Sequence, residues 1–246
     1  MHDEIVSVSD VSLTYRIVHG ASSSIKESAL NFIQRRISTT DFTALNDVSF
    51  TLNRGETLAV IGRNGAGKST LLKVLARVLP PTKGRVIVRG SVAPMIELAA
   101  GFNPELTGTE NAVLYSAILG RDVKRVRARL ETIADWAGVA DHMDTPIRTF
   151  SSGMVARLAF AVATDEIPDL LLVDEVLSVG DAEFREKSGL RMRELMAQDT
   201  GVVLVTHDLE TVRKMATRAL WLERGKARAF GDVEEVVDAY VADQKN

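Results

Sequence analysis

The sequence predicts an α/β fold, a largely parallel sheet interrupted by a helical subdomain, and three observations carry that prediction. Thr57 to Ile61 is an apolar strand that runs into the Gly-rich segment GRNGAGKST, Gly62 to Thr70, and Ser69 to Val78 then has the apolar spacing of a buried helix. Leu170 to Val173 and Val202 to Val205 are short apolar runs of the kind buried on both faces of a parallel sheet. Between these two groups, Glu110 to Ala163 is mostly helical in period.

The remaining elements follow in chain order. Ile5 to Tyr15 alternates as a strand, and Val48, Phe50 and Leu52 resume that period after an intervening stretch, His19 to Phe42. Within the stretch Ile25, Ala29, Phe32, Ile33 and Ile37 fall at helical spacing, which reads as a short amphipathic helix at a decorated edge or at a contact with a membrane partner. Near the other end, Arg224 and Gly225 form a hairpin turn between Ala219 to Glu223 and Lys226 to Phe230, and Asp232 caps a last helix through Tyr240. A single domain is expected: a core of about residues 1–98 and 165–246, a helical subdomain of about 99–164, and an insertion of about 19–42.

Composition narrows the function classes. A net charge of −3 provides no global basic field, which disfavours a non-specific nucleic-acid binder. The absence of cysteine excludes a disulfide framework and a thiolate metal site. The N-terminal MHDEIVSVSD is acidic where a signal peptide needs a basic flank, and no apolar run approaches the ~20 residues that span a bilayer. If the chain works at a membrane, a partner must supply the spans.

GRNGAGKST fits G-x-x-x-x-G-K-[ST], in which Gly62, Asn64, Gly65, Ala66 and Gly67 let successive N–H groups converge on phosphate at a helix N-terminus. Lys68 would reach the β- and γ-phosphates of ATP, and Ser69, followed by Thr70, would ligate Mg²⁺. A plain connecting turn would explain the glycines but not Lys68 and Ser69 at this spacing. The run LLLVDE ends a buried strand with two carboxylates, of which Asp174 suits the Mg²⁺ side and Glu175 suits the general base that polarises the attacking water. His207 follows GVVLVT at a second strand end, where an imidazole can contact the γ-phosphate.

At Phe150 to Ala163, FSSGMVARLAFAVA, the sequence resembles the signature region of the ABC ATPases, with Ser151, Ser152 and Gly153 at the Ser-Gly-Gly positions, Met154 replacing the Gln, and Arg157 matching the family arginine. The resemblance covers nearly the whole chain and implies a phosphate-loop NTPase with a RecA-like mixed sheet core. It also implies that Tyr15 stacks on adenine, that SVGD from Ser178 to Asp181 is the D-loop, and that His207 is the switch histidine. A head-to-tail homodimer would follow, with Ser151 to Gly153 of one protomer completing the ATP site built by Lys68, Asp174 and Glu175 of the other. Glu97 stands where the family has its Mg²⁺-contacting Gln.

That substitution, with VDEVLSVGDAEF and GFNPELTG, is similar to the ATPase subunits of polysaccharide exporters, which move lipid-linked O-antigen, teichoic acid or related glycans. This implies a permease partner and a place at the cytoplasmic face of the cytoplasmic membrane. The chain ends soon after Tyr240, which corresponds to a short form without a carbohydrate-binding domain. GFNPELT, Gly101 to Thr107, is the candidate permease contact, with Phe102 as its probe, against the plainer reading of a surface loop ended by an N-capping Thr. Lys124 to Arg129 reads as a solvated helix face. The competing class is a soluble ABC ATPase acting on nucleic acid or ribosomes, against which stand the short interval from Lys68 to Ser151 and the single set of motifs.

Overall fold

The computed structural model describes residues 3–19, 38–96, 98–174 and 181–244. Strands β1 (Glu4–His19) and β2 (Ser38–Asn53) pair as an antiparallel ribbon, and β4 (Lys83–Val88) pairs with β1 on its other side. Pairing between β1 and β4 ends at Ser12 and Lys83, and beyond that point the ribbon runs on as two strands among the described residues. Residues 38–42, counted with the insertion on sequence, belong to β2 and face Tyr15 to His19 across the ribbon. The helix expected among residues 25–37 lies outside the described residues.

The larger sheet has the order β5-β6-β7-β3-β8-β9. Strands β5 (Val92–Met95), β6 (Leu170–Asp174), β7 (Gly201–Val205), β3 (Thr57–Ile61) and β8 (Arg218–Glu223) are mutually parallel, and β9 (Lys226–Asp232) closes the edge antiparallel to β8. The period-two rule distributes the apolar residues. Leu58, Val60, Leu220 and Leu222 cluster with the antiparallel ribbon and with helix α1 (Lys68–Leu75). The alternate residues Ala59, Ile61, Ala219 and Trp221 cluster with the last two helices of the chain. Leu171, Val173, Val202 and Leu204 pack toward the helical subdomain. A sheet buried on both faces explains why these strands read as continuous apolar runs.

The subdomain consists of α2 (Gly108–Ile118), α3 (Val123–Ala137) and α4 (Ser152–Thr164), followed in the core by α5 (Ala182–Met196), α6 (Leu209–Met215) and α7 (Val233–Gln244). Helix α2 opens with a full capping box: Glu110 N–H donates to Thr107 Oγ1 at 3.2 Å, and Thr107 N–H donates to the Glu110 carboxylate at 2.9 Å. Asn111, wholly buried, donates from Nδ2 to the carbonyls of Asn103, Leu106 and Thr107 at 2.9–3.0 Å and accepts from Asn103 N–H at 2.7 Å. This one side chain pins the GFNPELT loop from inside. Phe102 packs edge-on against Tyr115 with ring centroids 5.4 Å apart, so its ring belongs to the subdomain core, and Asn103, Pro104 and Glu105 form the loop's exposed crest.

Helix α4 is apolar along its length, and its far end is held by arginines. Arg121 donates to the Val162 carbonyl and, at 2.6 Å, to that of Ala163, while Arg191 donates to the Thr164 carbonyl at 2.6 Å. These are carbonyls a helix C-terminus leaves unpaired, where positive charge is also favoured by the dipole. Arg129 is exposed, in keeping with a solvated face, and also binds Asp165 through two nitrogens at 2.7–3.0 Å. Lys124, Arg125 and Arg127 are exposed as expected.

One ion cluster ties the strand ends together. Arg54 contacts Asp169 at 2.6 Å and Asp3 at 2.8 Å, and Asp169 accepts from the Ser91 amide at 2.7 Å and hydroxyl at 2.9 Å. Partial burial alone would raise the Asp169 pKa, but the Ser91 bonds and the Arg54 guanidinium outweigh it and hold the carboxyl below the usual aspartate range.

Candidate functional site

β3 passes directly into the phosphate loop and α1. Gly67 occupies the N-cap position with φ of 106°, and a Cβ there would lie 2.6 Å from the Ala44 carbonyl oxygen, so both backbone shape and close packing demand glycine. The loop residues Asn64 to Thr70 line a cavity of about 290 Å³ together with Asp174 and His207 at the sheet edge and Phe42 and Ala44 of β2. The volume is of the order of a small-molecule site.

Within it the charged groups converge. Lys68 Nζ donates to the Gly62 carbonyl at 2.6 Å and to that of Arg63 at 3.0 Å, which curls the ammonium back along the loop. Ser69 Oγ donates to Asp174 Oδ2 at 3.5 Å, although 105 residues separate them in sequence. Asp174 is the last residue of β6, paired in register with Val205 of β7, and His207 lies two residues beyond Val205, exposed at the same sheet edge. Asp208 caps α6, and its carboxyl is held below the usual range by the Thr211 hydroxyl bond first and then by the amides of Glu210 and Thr211. That cap fixes the start of α6 immediately after His207.

The sequence-derived residues divide into three groups. Asn64 to Thr70, Asp174 and His207 meet in this one cavity, with Gly62 contributing its carbonyl to Lys68. Ser151, Ser152 and Gly153 stand elsewhere, at the N-terminus of α4, where Ser151 Oγ accepts from Met154 N–H at 3.2 Å and caps the helix. Arg157, one turn on, places Nη1 3.9 Å from Asp181 and its guanidinium 6.0 Å from the Phe184 ring centre, while its Nε is buried without a hydrogen bond. Glu97, Glu175 and Ser178 to Gly180 lie outside the described residues.

Tyr15 lies on β1, directly opposite Phe42 of β2. It is half-buried against the core beneath the ribbon and does not border the cavity; Phe42, its direct cross-strand partner, does, with 53% of its surface exposed. Phe42 and Ala44 both line the cavity, but Asp47, with φ of 58°, and the register shift beside Leu13, which leaves Ala44 unpaired between Thr43 and Leu45, break the alternation that would have carried the reading back from Val48.

Among the described residues no group of three or more His, Cys, Asp or Glu stands together to hold a metal. The Ser69 hydroxyl and Asp174 carboxylate are a pair of hard oxygen donors, which suits Mg²⁺, an ion that takes one or two protein ligands and fills its shell with phosphate and water oxygens.

Comparison with known proteins agrees with this geometry. A family model described as ABC transporter matches residues 45–178. The chain is 39% identical to the O-antigen export system ATP-binding protein RfbB of Klebsiella pneumoniae, over 97% of this chain and 98% of that protein. It is 37% identical to the teichoic acids export ATP-binding protein TagH of Shouchella clausii, over 94% of this chain and 63% of that protein. Among solved structures, a dimeric ATP-binding cassette in a post-hydrolysis state bound to ADP and Pi superposes with a TM-score of 0.67 at 22% identity, covering 93% of this chain and 98% of that one, a likeness of fold.

Proposed function

The chain belongs to the ABC transporter family, and from that premise we propose how its site is completed and what its ATPase activity drives. The protein is an ATPase that powers polysaccharide export, the function of its O-antigen and teichoic acid relatives. The observation that carries the site assignment is the meeting of Ser69 and Asp174 at 3.5 Å beside Lys68, since a phosphate-facing and a metal-facing group from distant segments share one cavity.

In this reading the loop amides and Lys68 bind the β- and γ-phosphates, and Ser69 and Asp174 would hold Mg²⁺, which when bound offsets charge between those phosphates. Glu97 is a third candidate oxygen donor. Glu175, next in sequence after Asp174, is the general base, and His207 steadies the γ-phosphate from the end of β7. Phe42 meets the base at the cavity's edge, and Tyr15, its cross-strand neighbour, is the second aromatic candidate.

Ser151, Ser152 and Gly153 are absent from the cavity of their own chain, yet the start of α4 leaves N–H donors and hydroxyls exposed, the requirements of an anion site. A second copy related by two-fold symmetry would bring that turn onto the phosphates. Among the described residues no helix is long and apolar enough to cross a membrane, and a separate permease would provide the path for a lipid-linked glycan and hold this subunit at the cytoplasmic face.

The test is Glu175→Gln, introduced into the purified chain and into the cell. ATP binding is retained, hydrolysis falls at least about 100-fold, an ATP-bound dimer accumulates, and surface glycan is lost. Undiminished turnover would remove Glu175 from the base role, and undiminished glycan display with turnover abolished would separate this ATPase from export.

A further inference from the structure

We propose that Gly225, in the turn between β8 and β9, is a positioning residue for phosphate binding that acts through the Ala66–Gly67 peptide. The inference rests on the nucleotide-site reading above and deepens it. Gly225 N–H donates to the Ala66 carbonyl at 2.9 Å, and the Gly225 carbonyl accepts from Asn46 N–H at 2.8 Å, so the turn is fastened to the phosphate loop on one side and to β2 on the other.

A planar trans peptide points its C=O and the following N–H in opposite directions. Holding the Ala66 carbonyl from the hairpin therefore turns the Gly67 N–H away from the hairpin. Ala66 borders two cavities: one of about 330 Å³, which Glu223 and Arg224 of the hairpin also border and Gly67 does not, and the nucleotide cavity, which Gly67 borders and the hairpin does not. The direction left to the Gly67 N–H is thus the side where phosphate would lie.

The contact leaves no room for substitution. Arg224 and Gly225 have φ of 47° and 79°, the paired positive values of a two-residue I′ turn. A Cβ on Gly225 would stand 2.6 Å from the Ala44 carbonyl oxygen, the same oxygen and the same distance found for Gly67. Gly67 and Gly225 meet over one backbone oxygen, and a side chain on either must push the loop and the hairpin apart. Gly225 touches no substrate; it sets a donor in place before phosphate arrives, which lowers the ordering cost of binding.

The test is ADP affinity of Gly225→Ala beside the wild type and Arg224→Gly. The wild type binds ADP, which separates this inference from the site assignment: no ADP binding by the wild type defeats both. Gly225→Ala folds with a nucleotide-free thermal midpoint below that of the wild type and binds ADP about 10-fold more weakly, whereas Arg224→Gly binds as the wild type does. A folded Gly225→Ala with unchanged ADP affinity overturns the proposal. If that variant does not fold, exchange of the Gly225 amide in the wild type decides: at ADP 100-fold above its Kd, opening that breaks the Ala66 contact is suppressed about 100-fold, and an exchange rate indifferent to ADP overturns the proposal.

Discussion

Phe42 stands directly opposite Tyr15 across the β1–β2 ribbon, and of the two it is Phe42 that borders the phosphate-loop cavity. Base-on-aromatic stacking is worth about 1–3 kcal/mol. Phe42→Ala should therefore raise the KM for ATP by roughly 5- to 150-fold with kcat changed far less, and Tyr15→Ala should have the smaller effect on KM. Steady-state kinetics of the two variants decides the order; a larger effect at Tyr15 would return the base contact to it.

The separation of Ser151 to Gly153 from the Lys68 cavity predicts complementation between two inactive chains. Position 153 has space for a side chain, since a Cβ there meets nothing closer than Ser151 Oγ at 3.8 Å. Lys68→Ala and Gly153→Asp should each be inactive alone and regain activity on mixing, because one mixed dimer holds one intact composite site. A chain carrying both changes, mixed with wild type, should form no intact site in the mixed dimer. The second mixture keeps the activity of its wild-type homodimers, so the deciding outcome is the first: no activity on mixing Lys68→Ala with Gly153→Asp would count against a shared site.

Phe102 is better explained by packing than by contact with a partner. Phe102→Ala removes the edge-on contact with Tyr115 and should lower stability by about 2 kcal/mol, read from urea unfolding. Glu105→Lys, on the exposed crest, should leave stability within about 0.5 kcal/mol and basal ATPase unchanged while reducing export. Unimpaired export in Glu105→Lys would move the permease contact off this crest.

Asp169 sets a pH dependence. Its carboxyl is held below the ordinary value in the folded state, so it contributes stability above the unfolded pKa of about 3.9, and that contribution is lost as pH falls through the lower folded value. Asp169→Asn should be less stable than wild type at neutral pH, and the difference should shrink below about pH 4. Urea midpoints across that range measure it; a gap independent of pH would mean that shape rather than charge matters at this position.

The parallel strands and the phosphate loop were legible because burial on both faces and a rigid phosphate geometry each leave a short, fixed pattern: β3 spans Thr57–Ile61 as read, and the turn at Arg224 and Gly225 falls where its residues place it. The ribbon was harder. Asp10 and Asp47 take positive φ, shift the register and hide the alternation that reaches Phe42. Long-range partnerships left no local trace either: nothing near Arg129 announces Asp165, and nothing near Asn111 announces that it satisfies three carbonyls of the preceding loop.

Helix α4 carries the Ser151 to Gly153 turn at one end and is gripped at the other by Arg121 and Arg191. At 1.5 Å per residue its 13 residues make a rod of about 20 Å. With the arginine-held end as fulcrum, a tilt of about 10° of such a rod would sweep the turn through roughly 3 Å, about the length of a hydrogen bond. In the proposed dimer such a rotation would engage or release an anion at the tip, and substitutions at Arg121 or Arg191 would then act on nucleotide chemistry from a helix length away.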